Sequence, residues 1–257
     1  MQGNAGLLAS FGFFIYCAAL AFALEPRGRN RVLLGAAVGL LLSAWWATSA
    51  DTWILHDWVL PPVVLLCAYW TSGALFTEPS TRAERRLSGI DRVLRIRELA
   101  ARAPRVVAEL LELSYVWVYP VIPVALAIHV LATRHPDVNR FWSVILITDY
   151  VCFAMLPWIQ TRPPRALEPA SPWRSSIRRF NLKLLGETSI GVNTFPSGHA
   201  AEALAAALLV LGAPPGLEVW MFASAAAISA GAVFGRYHYA ADAIAGWIVA
   251  LAVWALL

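Results

Sequence analysis

Apolar residues come in runs of about 20, the length a helix needs to cross a bilayer's hydrocarbon core. The runs fall at residues 6–24, 32–50, 53–76, 114–131, 141–160, 199–212, 217–234 and 239–257. Pro61-Pro62 in the third, and Pro120 with Pro123 in the fourth, imply kinks. Residues 81–104 differ. There Arg82, Arg85, Arg86, Arg92, Arg95, Arg97 and Arg102 accompany Leu87, Ile90 and Leu94 at helical spacing. That pattern predicts an amphipathic helix whose basic face either meets anionic headgroups or is simply solvated. Residues 161–198 read as a polar, proline-rich loop. The expected fold is all-α: a polytopic membrane bundle of about eight transmembrane helices with one interfacial helix. Residues 1–52 supply two N-terminal spans and residues 53–257 the remaining domain, its basic segment at 80–112. The first run has neither a basic leader nor a small-residue cleavage site, so it reads as a span rather than a signal peptide.

Composition agrees with the pattern: 59% of the 257 residues are hydrophobic and 14% charged, unlike a soluble enzyme. Cys17, Cys67 and Cys152 lie apart inside apolar runs, which argues against a disulfide framework or a zinc site. A net charge of +4 is too small to point to nucleic acid. Its distribution says more. With eight spans, all of the 20 Lys and Arg residues except Arg134 and Arg140 fall on one face. The positive-inside rule assigns that face to the cytoplasmic side of a plasma (inner) membrane.

The same face receives the chemistry. Thr194-Phe195-Pro196-Ser197-Gly198-His199 opens the sixth run, offering a hydroxyl, a glycine for close backbone approach, and a histidine. The first-turn amides of Gly198, His199 and Ala200 lack helical partners and suit an anion. The blander reading is a serine N-cap beside an incidental histidine. His238 precedes Asp242 by four positions, so the two share a helix face, and the carboxylate can fix the imidazole's tautomer. An ionisable residue in a membrane helix points to function by default, although a structural His–Asp pair has the same spacing. His56, His129 and His135 lie away from these stretches and read as structural or interfacial, and no ligand set for a metal is spaced suitably.

Three stretches together resemble the type-2 phosphatidic acid phosphatase superfamily, which includes lipid phosphatases, lipid phosphotransferases and vanadium haloperoxidases. They are Arg162-Pro163-Pro164-Arg165, Pro196-Ser197-Gly198-His199, and the segment from Gly235 to Gly246 with His238 and Asp242. The resemblance covers the chain from about Phe141 onward and implies a six-helix phosphatase-like core. It implies that His238 attacks phosphorus, Asp242 orients it, and His199 serves as acid and base. Ser197 and the Gly198 amide would hold phosphate oxygens. Arg162, Arg165 and Arg236 would neutralise charge, without metal or other cofactor. Two positions depart from the usual motifs: Met155 stands where a lysine is usual, and Ala232 where an arginine is usual. The Pro-Pro-Arg and Arg-Tyr-His-Tyr forms are similar to the branch containing inositol phosphorylceramide synthases.

The expected activity is metal-independent hydrolysis of a phosphorylated lipid through a phosphohistidine. Transfer of a phospho-headgroup to another lipid or polyol is the alternative. A transporter with a His–Asp proton relay is the rival of another class. The expected partners are the lipid substrate and, through arginines 82–105, anionic membrane lipids.

Overall fold

The structure is a computed structural model, and it describes residues 5–168 and 170–257. Among these residues there are thirteen α-helices and one π-helical turn, with no named strand. The helices are α1 (Ala5–Ala21), α2 (Pro26–Thr48), α3 (Leu60–Gly73, entered through the π-turn Leu55–Val59), α4 (Thr81–Val93), α5 (Ile96–Ala101), α6 (Arg105–Val116), α7 (Val118–Ala132), α8 (Val138–Ala154), α9 (Pro164–Leu167), α10 (Ser176–Thr188), α11 (Gly198–Leu209), α12 (Pro215–Phe234) and α13 (Ala240–Leu256).

Helix boundaries follow local chemistry. Pro26 and Pro215 sit in the first turns of α2 and α12, where the missing N–H leaves no bond unmade. Side chains of Ser80, Asp137, Ser175 and Ser197 cap α4, α8, α10 and α11 by accepting a backbone N–H from the first turn. Arg95 adopts φ 53°, which divides the expected amphipathic helix into α4 and α5.

The expectation of about eight transmembrane helices is not matched by helix length. Only α2 and α12 are individually long and apolar enough to cross a membrane, and α6 with α7, bent by 62°, make a third candidate. The apolar runs overstate helices because they include turns. α11, with 12 residues, reaches about 18 Å, against a hydrocarbon core of about 30 Å. The loop expected at 161–198 also holds a helix, α10, capped by Ser175 and anchored through Arg178 and Asn181.

α11 is the axis of the fold. Ten of its residues are buried, most of them alanines, and it packs against α7, α8, α12 and α13. Small side chains let helices approach closely enough for dispersion contacts to accumulate. α1 packs on α8 through a Phe13–Tyr150 ring stack and a Ser10–Tyr150 hydrogen bond, and on α2. The N-terminal helices thus share one continuous apolar core with the rest. A close backbone approach joins α13 to the start of α11. A Cβ on Gly246 would stand 2.5 Å from the Ser197 carbonyl oxygen and 3.2 Å from the Ala201 amide. Backbone cannot yield as a side-chain tip can. Gly246→Ala is therefore expected to lower stability by about 1–3 kcal/mol, read as an earlier unfolding midpoint in detergent.

Candidate active site

Three loops meet at one end of α11. Asn193 bridges to Thr161 through its amide (2.9 Å to the carbonyl) and its side chain (3.0 Å to Oγ1). The same side chain donates to Asp242 Oδ2 at 2.9 Å. Ser197 donates its amide to the Asp242 carbonyl at 3.0 Å, and Arg165 donates its amide to the Arg236 carbonyl at 3.0 Å. The His238 amide is held by the Ala232 carbonyl at 3.0 Å. These bonds bring the rings of His199 and His238 to a centroid separation of 5.6 Å. His199 Nε2 and His238 Nδ1 are buried without a hydrogen-bond partner among the described residues.

Asp242 is fully buried, and its Oδ2 lies 3.5 Å from His238 Nδ1. That contact is longer than the hydrogen bond the i, i+4 spacing suggests. The reason is local: Oδ2 already accepts from Asn193 and from the Tyr239 amide at 2.9 Å. Asp242 caps α13 and ties loops together while facing the imidazole.

The arginines separate into two kinds. Arg165 lines the cavity, with its guanidinium 5.2 Å from the Tyr237 ring centroid. Arg162 turns away and grips Glu84 with Nε and Nη2, both at 2.9 Å. Those bonds hold the Glu84 carboxyl below its ordinary range despite its partial burial. Arg236, at φ 64°, is buried against Asp91 (2.7 Å) and Glu168 (2.6 Å). Burial works against its charge, but these bonds outweigh it and raise its pKa. Neither Arg162 nor Arg236 lines the cavity, a correction to the expectation that they neutralise phosphate. Ser197 is a second correction. Fully buried, it accepts the Ala200 amide at 3.3 Å as the N-cap of α11, which also occupies one of the amides expected to face the anion. Gly198 does line the cavity. A Cβ there would meet Asp149 Oδ1 at 3.2 Å and Phe153 Cε1 at 3.3 Å.

Several residues were missed by motif spacing. Tyr115 stacks on His199 (5.5 Å, 4°) and on Tyr237 (3.8 Å, 7°), forming a three-ring column. Its far end is pinned by Glu112, which is fully buried and accepts from Tyr237, Arg178, Asn181 and Trp173 at 2.6–2.8 Å. Asp149 and Glu202, two ionisable residues within apolar runs, also face the cavity. Their position in such runs was the signal that could have found them. His129 is taken up by the Leu209 carbonyl and Asp137, and Cys17, Cys67 and Cys152 are free thiols.

The cavity measures about 980 Å³. Arg165, His199 and His238 gather on its wall with Asp149 and Glu202. The rest is largely apolar, with Leu65, Leu66, Ile122, Pro123, Leu126 and Trp142 among its lining. Burial, and then the charge of Arg165, push the His238 imidazole down to about 3. It is therefore a neutral lone-pair donor at ordinary pH. A buried pair of imidazoles with free nitrogens beside one guanidinium suits a tetrahedral oxyanion.

A family model described as PAP2 superfamily matches residues 81–256, and the chain belongs to that superfamily. Membership implies a phosphatase-type hydrolase. Neither the curated proteins nor the solved structures compared with the chain gave a match.

Two expectations follow from the geometry. Arg165→Ala should weaken competitive inhibition by inorganic phosphate about tenfold or more, the worth of one charge-assisted bond. Arg162→Ala should leave that inhibition within about twofold, because its partner is Glu84. The second concerns acid. The His238 pKa is lowered on folding, so below about 6.5 the unfolded chain binds a proton that the folded chain refuses. The contribution of His238 to stability falls as pH drops from about 6.5 towards 3, and His238→Gln should remove it, changing the slope by up to about 1.4 kcal/mol per pH unit. Unfolding midpoints measured across this range check it.

Proposed function

We propose that the chain is an integral membrane phosphatase that hydrolyses a phosphorylated lipid through a phosphohistidine on His238, without a metal. The observation that carries this reading is the convergence of the His199 and His238 rings, 5.6 Å apart, with Arg165 on the wall of a largely apolar cavity of about 980 Å³. A phosphate ester meets the polar end while its chains lie in the apolar part.

In the first step His238 Nε2 attacks phosphorus, its Nδ1 being the atom on the Asp242 side. A P–N bond forms and the P–O bond to the lipid breaks. His199 gives its proton to the leaving oxygen; the negative charge of bound phosphate favours the protonated imidazole that this step needs. Water then attacks phosphorus, returns a proton to His199, and releases inorganic phosphate and His238. Arg165 and the Gly198 amide stabilise the charge on the non-bridging oxygens. Tyr115, stacked on His199, holds that ring in plane.

Large apolar side chains on the outer surfaces of α1, α2 and α13 support residence in a bilayer. Leu8, Ile15, Phe22, Leu34, Leu41 and Ile248 are all well exposed. In this reading the eight apolar runs are eight crossings, the shorter helices completing theirs with turns. The basic α4 lies at the interface among anionic lipids, and the active site opens to the cytoplasmic side. Transfer to an alcohol shares the first half-reaction and differs only in what displaces His238. A proton-relay transporter needs ionisable groups strung across the membrane, whereas Asp149 and Glu202 open on the same cavity as the histidines.

The test is phosphate release from a panel of lipid phosphates by detergent-purified protein in EDTA. Full activity in chelator is expected, with His238→Ala reducing it at least about a thousandfold and His199→Ala about 10²–10⁴-fold. Activity that requires a divalent metal, or that survives His238→Ala, overturns the proposal.

A further inference from the structure

Asp149 and Glu202 take no part in the steps above. Asp149 lies on α8 and is fully buried. Glu202 follows His199 by three positions on α11, so it occupies the same face one turn further into the bundle. Both line the cavity. Neither oxygen of Asp149 has a hydrogen-bond partner among the described residues. Buried acceptors left without donors are costly, and most in folded proteins find a partner. A Cβ on Gly198 would stand 3.2 Å from Asp149 Oδ1, so this oxygen lies against the residue that precedes His199.

Position defines what would meet them. The residues suited to phosphate are Arg165, His199 and His238, whereas Trp58, Leu126 and Trp142 belong to the apolar part. Along α8 the seven residues from Trp142 to Asp149 span about 10 Å. A lipid with its phosphate at the histidines and its chain in the apolar part passes its first carbons across the two carboxyls. Arg165 shares that end of the cavity, which favours a neutral donor there over a cation.

We propose that Asp149 and Glu202 form a specificity subsite that accepts a hydrogen bond from a hydroxyl on the leaving alcohol, a few bonds from the phosphate ester oxygen. The inference rests on the lipid-phosphatase reading and deepens it to a substrate class: lipid phosphates with a free hydroxyl next to the phosphorylated carbon.

A matched pair of substrates tests it: oleoyl lysophosphatidate, and its 2-deoxy analogue, which has the same chain and phosphate but lacks the hydroxyl. The full-length protein in detergent should show kcat/KM about tenfold or more in favour of the hydroxylated lipid. Asp149→Leu and Glu202→Leu should bring that ratio to within about twofold of one, chiefly by slowing the hydroxylated substrate. Asp149→Asn keeps an acceptor oxygen and should retain part of the preference. A ratio of two substrates on one preparation does not depend on how much of a variant is folded. A ratio near one in the unaltered protein, or one unchanged in both leucine variants, overturns the subsite while leaving the phosphatase reading intact. Failure to release phosphate from either lipid overturns the subsite and leaves the phosphatase reading to the wider panel, whereas release untouched by His238→Ala overturns both.

Discussion

Asp242 is the constraint on which the site depends. Its carboxylate takes the Asn193 side chain and the Tyr239 amide, and its carbonyl takes the Ser197 amide. One residue thereby joins the loop before α11 to the start of α13, and through Asn193 reaches the loop after α8. Buried in this way, a carboxylate without donors would be strongly unfavourable, so the loops are drawn in to satisfy it. The separation of His199 and His238 follows from that closure, because each leaves its loop within a few residues of an Asp242 bond. Gly246 completes the arrangement by allowing the α13 backbone to touch the Ser197 carbonyl.

A second clamp comes from α4. Glu84 holds Arg162, and Asp91 holds both Arg236 and the amide of Ala240 at the start of α13. The acidic side of an arginine-rich helix thus grips two of the site-forming loops. Its outer side, with Ile90 and Val93 exposed among arginines, is free for a charged and apolar surface. Displacing α4 would strip Arg236 of Asp91 and leave its buried guanidinium with Glu168 alone. The helix is fixed to the chemistry more tightly than its amphipathic sequence suggests.

Much of this was legible in the sequence. Periodic apolar runs gave the all-α class, and the His-x3-Asp and Pro-Ser-Gly-His spacings led to two histidines that do meet. What was not legible is instructive. The lengths of the helices were overread because apolar character continues through turns at 49–52 and 210–213, where the helix itself has stopped. α10 was missed because its apolar residues are interleaved with Arg178, Arg179, Asn181 and Lys183, and because it is anchored by Arg178 and Asn181 reaching Glu112, a partner more than 60 positions away. Ser197 could be read equally as a cap or as a ligand. A serine before a helix serves either purpose with the same spacing, and only its bond to Ala200 separates them.

The arginines show why motif spacing alone cannot assign charge. Four guanidinium groups from this half of the chain approach the joined loops, and those of Arg178 and Arg236 are buried, where a charge must be balanced. Glu84 takes Arg162, Glu112 takes Arg178, and Asp91 with Glu168 takes Arg236. Among the described residues Arg165 receives no carboxylate; it lies over the Tyr237 face and points towards the Tyr237 carbonyl at 3.5 Å. An aromatic face stabilises a cation without neutralising it, so the field of Arg165 still reaches the imidazoles, where it helps to hold His238 unprotonated. An anion entering the cavity finds there one positive charge not already cancelled by a neighbour. The carboxylates scattered through 84–112 and 168 therefore leave Arg165, of these four, without a carboxylate partner among the described residues. A change that removed any one of them would liberate a competing positive charge near the same loops.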